Sequence, residues 1–182
     1  MTTPGECILS QMDSAREQRV RPIERADLAS ILALNNANAV ELGLLEPGRA
    51  DELLSVAALT AALGPLGAPL AFLIAFDQHA PPQGPNHSWF LARHRSFLYI
   101  DRVCVSPLAR KRGLARSLYA HALAHAASRG APVVCCEVNR EPPNPVSDAF
   151  HQALGFRGVG DAFLPDRGKT VRYLEREVPG VV

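Results

Sequence analysis

The sequence predicts a single α/β domain in which strands and helices share one chain. Three observations support this class. With 182 residues, of which 47% are hydrophobic and 20% charged, the chain suits one globular domain. Two apolar runs, 70–76 and 132–138, have the length of strands that are buried on both faces. The segment 97–130 has the pattern of a strand, a short basic turn and a helix in succession.

Composition and charge exclude several classes of function. The formal net charge of +1 gives no electrostatic case for binding nucleic acid or an anionic membrane. No apolar run approaches the ~20 residues that a membrane-spanning helix needs. Residues 1–18 lack the cationic start and apolar core of a signal peptide, so we interpret them as a loosely ordered leader before a domain at 19–182.

The placement of the four cysteines favours free thiols. Cys135 and Cys136 are neighbours in an apolar run, Cys104 lies in a predicted strand, and Cys7 lies in the leader. The sequence contains neither a CxxC pair nor a clustered set of Cys and His, so we expect no metal site. Buried thiols in a reducing cytoplasm are the expected state.

The first third of the chain predicts a short strand and two helices. Residues 20–23 are predicted as the strand. Residues 26–36 place their apolar side chains on one helical face, and a polar cluster of asparagines ends this pattern. A second helix is predicted over 49–63, because a Gly-Pro pair follows it.

The middle of the chain predicts a central pair of strands. The run 70–76 is the first, and the three prolines of 77–86 mark the loop that follows it. A further strand is predicted near 88–92, where aromatic residues cluster. It turns at 93–96 into the central strand, which ends before Ser106 and Pro107.

The turn after the central strand has the properties of an anion site. The first turn of a helix offers N–H groups and the positive end of the helix dipole, and both favour a phosphate. Gly113 and Ala115 keep bulky side chains away from the backbone, while Arg110, Lys111 and Arg112 supply positive charge. The sequence therefore predicts a diphosphate site. The alternative is an ordinary strand–loop–helix junction with solvated basic residues.

The last third of the chain predicts a further alternation of strands and helices. Gly130 ends the predicted helix and the buried strand 132–138 follows. The remaining predicted elements are a Pro-rich loop at 139–145, a short helix at 148–154, and strands at 156–159 and 171–178 around a turn at 166–169.

The motif Arg110-x-x-Gly113-x-Ala115, between a Val-x-Val strand and an amphipathic helix, resembles the acetyl-CoA motif of the GNAT superfamily of N-acetyltransferases. It lacks the Gly-Lys-Ser/Thr ending of a Walker loop and the three-glycine spacing of a dinucleotide fingerprint. The order of predicted elements over about 20–178 is also similar to that family. So is the segment 144–156, which matches the family's penultimate helix and its Leu-Gly-Phe ending.

The resemblance implies a central mixed, mostly antiparallel sheet flanked by helices. It also implies an enzyme that uses acetyl-CoA to acetylate an amine by direct attack. The coenzyme would lie along backbone at a point where the family's sheet opens, in a loop around its diphosphate, and against polar residues on its other side. The residues implied are Val103, Cys104 and Val105; Arg110, Lys111, Arg112, Gly113, Leu114, Ala115 and Arg116; and Asn139, Asn144 and Ser147. For the last three, loop and cap hydrogen bonding is the alternative.

Two side chains are predicted to be catalytic. Acetyl transfer requires a base to deprotonate the amine and a donor to protonate the leaving thiolate. Asp101 matches an acidic position that some family members use as the base; a salt bridge to an arginine is the alternative for it, and Glu137 is the second candidate. His151 stands where many members have a tyrosine near the sulfur. With a reference pKa of about 6.5 it could donate the proton, or it could have no role.

The acceptor is expected to be a small-molecule amine or a protein amine, held by residues 35–41 and by the Pro-rich segment around His87 and Trp89. Nucleic acid and membrane partners are not expected, and a homodimer is left open. The alternative function is a non-catalytic acyl-CoA sensor, which the histidine at position 151 supports. A nucleic-acid-binding use of residues 110–116 is disfavoured by the near-zero net charge.

Overall fold

The computed structural model describes residues 19–180. The predicted leader 1–18 lies outside the described residues, so the boundary of the domain stays a prediction. No helix within residues 19–180 combines the length and hydropathy that a membrane span requires. Cys104, Cys135 and Cys136 are buried and form no disulfide within this part of the chain, as predicted.

Six strands form one sheet in the order β1-β2-β3-β4-β6-β5. The pair β3/β4 is parallel, while β4/β6 and β5/β6 are antiparallel. The mixed, mostly antiparallel sheet is therefore confirmed. The strands are β1 (Leu59–Leu63), β2 (Ala71–Asp77), β3 (Leu98–Val105), β4 (Val133–Glu141), β5 (Arg157–Leu164) and β6 (Lys169–Glu177).

Three α-helices precede β1, and three more connect later strands within the described residues. They are α1 (Leu28–Asn36), α2 (Ala39–Leu42), α3 (Pro47–Val56), α4 (Pro85–Leu91), α5 (Leu114–Ser128) and α6 (Pro145–Ala153). Short 3₁₀ turns occur at Arg25–Asp27, Pro107–Ala109 and Pro165–Arg167.

The described residues form two compact units. One contains residues 19–52, Thr60–Leu73 and Val103–His121, and the other contains Leu53–Leu59, Ile74–Arg102 and residues 122–180.

In the first unit, a buried ion pair fixes the start of the chain. Asp27 is fully buried and accepts hydrogen bonds from both terminal nitrogens of Arg21, at 2.6 and 2.8 Å, and from the Gly67 N–H. The strand predicted at 20–23 is reduced to a single antiparallel bridge between Arg21 and Ala62. The basic side chain of Arg21, not a strand ladder, anchors this segment.

In the second unit, α4 packs its aromatic residues against β3 and β6. Phe90 is fully buried, and its ring lies 5.5 Å from Tyr99 and 5.3 Å from Tyr173. Trp89 stacks on Tyr173 at 4.2 Å. Such aromatic contacts bury large apolar areas in well-defined geometries, so they hold the helix in a fixed position on the sheet.

Two predicted elements near this unit were wrong. The helix predicted over 49–63 ends at Val56, and residues 59–63 form β1 instead. A short apolar run does not distinguish strand from helix by its periodicity, and pairing in the sheet decided the outcome. The strand predicted near 88–92 is α4, which begins with Pro85. Proline at the first helical position is a helix-start signal that the aromatic composition obscured.

The predicted order of elements holds only in part. Three strands do precede the long helix α5, but α4 separates β2 from β3, and the short helix α2 was not predicted. The runs 70–76 and 132–138 are strands, and the helix after the basic turn ends at Ser128, two residues before Gly130. The last helix starts at Pro145 rather than Asp148, again with proline at its first position.

Candidate active site

The basic turn between β3 and α5 is built from unusual backbone conformations. Lys111 and Gly113 have φ angles of +62° and +82°, so the chain alternates into the left-handed region before the helix begins. The Ser117 N–H donates to Gly113 O at 3.0 Å, which starts the intrahelical ladder. The N–H groups of Leu114, Ala115 and Arg116 therefore have no acceptor within the helix.

The same turn is open and cationic. A Cβ built on Gly113 would meet no atom within 4 Å among the described residues. The side chains of Arg110, Lys111, Arg112 and Arg116 are exposed. Arg110 donates to Asn38 Oδ1 at 3.2 Å, while Leu114 is buried and anchors the helix. The turn thus offers backbone N–H groups and positive charge to an anion such as a diphosphate.

The strand before the turn leaves its parallel partner early. The pairing of β3 with β4 covers only Leu98 with Val134 and Tyr99 with Cys135. Strand β4 remains paired with β6 as far as Glu141. The coenzyme-binding opening of the sheet that the family resemblance implied stays a prediction. Cys104, further along β3, is buried, and burial raises the pKa of its thiol to about 11.

The carboxylate of Glu137 on β4 lies at the centre of a hydrogen-bond network. Its Oε1 accepts from Asn86 Nδ2 at 2.7 Å, and its Oε2 accepts from the Tyr99 hydroxyl at 2.8 Å. The Tyr173 hydroxyl donates in turn to Asn86 Oδ1 at 3.1 Å. Two side chains, from β3 and α4, thus donate to the carboxyl group of Glu137 on β4, and a third, from β6, donates to one of these two. We call Glu137, Tyr99, Asn86 and Tyr173 the Glu137 network.

The environment of Glu137 raises the pKa of its carboxyl group to about 7. Burial is the largest cause, and the negative charge of Asp101 adds to it. The hydrogen bonds from Tyr99 and Asn86, and the charge of Lys169, act in the opposite direction. The pKa of Tyr99 is raised well above its ordinary value by burial and by Glu137, so its hydroxyl stays protonated and able to donate.

Asp101 forms an ion pair with the next residue in the chain. Arg102 Nε lies 2.8 Å from Asp101 Oδ2, and the two side chains are 11% and 12% exposed. This is the alternative that the sequence left open for Asp101, and its role as the base stays untested. The negative charge of Asp101 raises the pKa of the Glu137 carboxyl group.

A family model of the acetyltransferase (GNAT) family matches residues 56–156, which is more than half of the 182-residue chain. The chain belongs to the GNAT acetyltransferase family. Members of this family are acetyl-CoA-dependent acyltransferases. The resemblance that the 110–115 motif carried is therefore confirmed.

Solved acetyltransferases share this fold. The Escherichia coli ribosomal-protein-S18-alanine N-acetyltransferase is 16% identical, with a TM-score of 0.65 over 88% of this chain and 93% of that one. The Brucella melitensis ribosomal-protein-alanine N-acetyltransferase is 22% identical, with a TM-score of 0.65 over 87% and 99%. Arabidopsis thaliana NAA60 with a bisubstrate analogue is 15% identical, with a TM-score of 0.70 over 89% and 98%. No curated protein sequence matches the chain.

In this acetyltransferase, His151 is a buried residue of α6. Its Nδ1 lies 2.8 Å from the carbonyl oxygen of Ser147, which can only accept, so Nδ1 carries a proton. The rings of Phe150 and Phe156 meet the imidazole edge-on. Burial lowers the pKa of His151, so the neutral ring dominates at neutral pH. In the neutral ring Nε2 has no proton to give.

The three polar residues predicted to face the coenzyme have structural roles as well. Asn144 is the N-cap of α6, and its Oδ1 accepts from the Ser147 N–H at 3.1 Å. Asn139 is buried on β4 opposite Val171. The capping alternative is therefore observed for Asn144 and Ser147. Contact of these residues with the coenzyme stays a prediction.

The asparagines predicted to bind the acceptor stabilise their own turn. Asn35 is buried and donates to Gly43 O at 2.9 Å. Asn36 exchanges two hydrogen bonds with the backbone of Leu45, and Asn38 donates to Leu34 O. These amides hold the α1–α2 segment together, so their part in acceptor recognition stays a prediction.

Sequence reasoning treated Glu137 only as a second candidate and missed Asn86 and Tyr173. Asn86 precedes Glu137 by 51 residues, and Tyr173 follows Asn86 by 87. No local motif signals a contact over such separations. The one available signal was a carboxylate in the middle of an otherwise apolar strand, which is costly unless it is hydrogen-bonded or functional.

Proposed function

We propose that the protein transfers an acetyl group from acetyl-CoA to a primary amine by direct attack, with Glu137 as the general base. The observation that carries the proposal is the Glu137 carboxylate, which accepts a hydrogen bond at each oxygen and has a pKa of about 7. A base with a pKa near the working pH combines a useful ionised fraction with a useful affinity for protons.

The proton and electron balance of the step is simple. A substrate ammonium gives its proton to Glu137, and the neutral amine attacks the thioester carbonyl carbon. The C–N bond forms, and the tetrahedral intermediate collapses as the C–S bond breaks and the nitrogen loses its second proton. The leaving thiolate takes up that proton through solvent, so the products are the neutral amide and coenzyme A with a free thiol, and Glu137 returns its own proton to solvent. The hydrogen bonds from Tyr99 and Asn86 orient the carboxylate during this sequence. The negative charge of Asp101 raises the pKa of Glu137, which favours transfer of the proton to that carboxylate.

The turn at 110–116 is proposed to hold the diphosphate of the coenzyme. Its open backbone at Gly113 and its exposed cations support this assignment. The backbone of Val103, Cys104 and Val105 is proposed to follow the pantetheine arm. NAA60 has also been solved with acetyl-CoA, which supports the same co-substrate here.

His151 is proposed as a proton donor to the thiolate under one condition. Because Nδ1 is held by Ser147 O, only the doubly protonated ring can give a proton from Nε2. Burial lowers the pKa of this ring, so that form is scarce at neutral pH. A coenzyme thiol with a pKa of about 8.5 can leave without help, which makes His151 an accelerating group rather than an essential one.

Among amines, the proposal favours an α-amine such as a protein N-terminus. An α-ammonium has a pKa of about 8, whereas a lysine-type ammonium has a pKa of about 10.4. Transfer of a proton to Glu137 is therefore uphill by about one pKa unit for the first and by more than three for the second. Two of the similar structures are named for acetylating a ribosomal-protein alanine, which supports the same choice.

The test is release of coenzyme A from acetyl-CoA over a panel of amines. The panel contains peptides with a free N-terminal alanine or serine, the same peptides with a blocked N-terminus, lysine, spermidine and an aminoglycoside. We expect sustained release with a free-N-terminus peptide and none with its blocked copy. Tight binding of acetyl-CoA without release on any amine would instead favour the acyl-CoA sensor that position 151 raised as the alternative.

A further inference from the structure

We propose that Asn86 is a positioning residue, which holds the Glu137 carboxylate in place through the hydrogen bond that it donates to Oε1. The inference rests on the proposed role of Glu137 as the base. It assigns a role in the reaction to α4, the helix that precedes the central strand β3. In the proposed step Asn86 bonds to Glu137 and not to the reacting atoms, so it acts through Glu137.

The amide of Asn86 has one orientation that satisfies both of its partners. The ionised Glu137 carboxylate can only accept, so the NH₂ group of Asn86 must face it, at 2.7 Å. This leaves Asn86 Oδ1 for the Tyr173 hydroxyl, at 3.1 Å. Burial and Glu137 raise the pKa of Tyr173, so its hydroxyl keeps the proton that it donates. The Tyr173 hydroxyl therefore donates to Asn86, and Asn86 in turn donates to Glu137.

Packing fixes Asn86 where this chain of hydrogen bonds needs it. Asn86 is 5% exposed on α4, and its helix neighbour Trp89 stacks on the ring of Tyr173. The guanidinium of Arg93 covers the Trp89 ring at 3.5 Å. A Cβ built on Gly160 of β5 would lie 2.9 Å from Trp89, so the absence of a side chain at 160 is what admits the indole. These contacts hold α4 against β5 and β6.

The groups that face Glu137 come from three other elements. On β3, the charge of Asp101 raises the pKa of Glu137 and the Tyr99 hydroxyl bond lowers it. On β6, the charge of Lys169 lowers it, and on α4 the Asn86 bond lowers it. Asn86 is therefore the contribution of α4 to a balance between opposing charges and hydrogen bonds. Its loss is expected to move the pKa of Glu137 upward and to free the carboxylate to rotate.

The decisive measurement is the titration of Glu137 itself. The full chain is labelled with ¹³C at the glutamate side-chain carboxyl, and the resonance that disappears in Glu137→Gln identifies Glu137. We expect its midpoint to move to higher pH in Asn86→Leu, which has similar volume without the amide. A smaller move in the same direction is expected in Tyr173→Phe, which keeps the stacking ring. The acid limb of kcat/KM should follow, with a loss of about tenfold at pH 7 in Asn86→Leu.

A control separates positioning from loosening of the helix. Phe90→Leu on α4 weakens the packing but keeps the Asn86 amide, so it should lower the melting temperature without moving the Glu137 midpoint. An unchanged midpoint in folded Asn86→Leu overturns the inference; if that variant does not fold, Tyr173→Phe decides it in the same way. Full turnover in Glu137→Gln would overturn the proposed base instead, so the two failures are distinguishable.

Discussion

The 110–116 turn and the Glu137 network solve opposite physical problems. The turn presents exposed cations and backbone N–H groups that are contiguous in sequence. The network gathers three buried side chains, from β3, β6 and α4, around the carboxylate of Glu137 on β4. The turn leaves its positive charge accessible to an anion, whereas the network changes the pKa of a carboxyl group by removing it from water.

The difference indicates where each region is sensitive to mutation. In the turn several exposed cations supply positive charge, so the loss of any one of them should have a small effect. Gly113 is the sensitive position because its φ of +82° suits glycine. In the network, every member satisfies another buried group, so a single deletion leaves a partner unpaired. Binding of the coenzyme and proton transfer should therefore be separable by mutation.

Glu137→Gln is expected to have the largest effect, because it keeps the side-chain volume and removes the base. Turnover with the best amine should fall by about 10²–10⁴-fold, while calorimetry should show unchanged affinity for acetyl-CoA. Glu141→Gln is the matched control, since Glu141 is an exposed carboxylate at the end of the same strand. A parallel loss of coenzyme affinity in Glu137→Gln would contradict the separation of the two regions.

Gly113→Asp should weaken coenzyme binding by about a hundredfold or more, because it adds bulk, negative charge and backbone strain beside the proposed diphosphate. Gly130→Asp is the control. Gly130 follows the other end of α5, has a φ of +69° and is equally open, so it carries the same strain. Equal affinities in the two folded variants, measured by calorimetry, would remove the coenzyme site from this turn.

His151→Ala should lower turnover by about tenfold with coenzyme binding nearly intact, and His151→Tyr should keep much of the activity. The sign of the pH dependence follows from the lowered pKa of the imidazole. Because only the protonated ring can donate, the deficit of the alanine variant should be greatest at low pH and shrink as pH rises. An alanine variant that turns over like the parent at every pH would show that His151 donates no proton to the thiolate.

Asp101→Asn should have the smallest effect, less than about tenfold in rate, and it distinguishes the two candidate bases. If Glu137 is the base, loss of the Asp101 charge lowers the pKa of Glu137, so the acid limb of kcat/KM moves to lower pH. If Asp101 is the base, the variant loses most activity at low pH, where few amines are already neutral. The direction of the change in a pH profile decides between them.

Much of the fold was predictable because its signals are local. The alternation along β3, the Ser106-Pro107 stop and the Gly-containing turn before α5 lie within one stretch of sequence, and the structure has them in place. The continuous apolar run of β2 was equally clear. The resemblance to the family came from the same stretch, since a motif predicted to bind a phosphate is made of consecutive backbone groups.

The tertiary structure decided what local patterns leave ambiguous. Residues 59–63 and 88–92 are short apolar segments whose periodicity fits either a strand or a helix. In the structure the first segment pairs in the sheet as β1, and most of the second lies in helix α4. The same choice brought Asn86 to Glu137 across 51 residues. Sequence alone indicated the GNAT family, whose members are acetyl-CoA-dependent acyltransferases. Which carboxylate is buried enough to have a pKa of about 7 depended on packing, because burial and distant neighbours set the pKa of a carboxyl group.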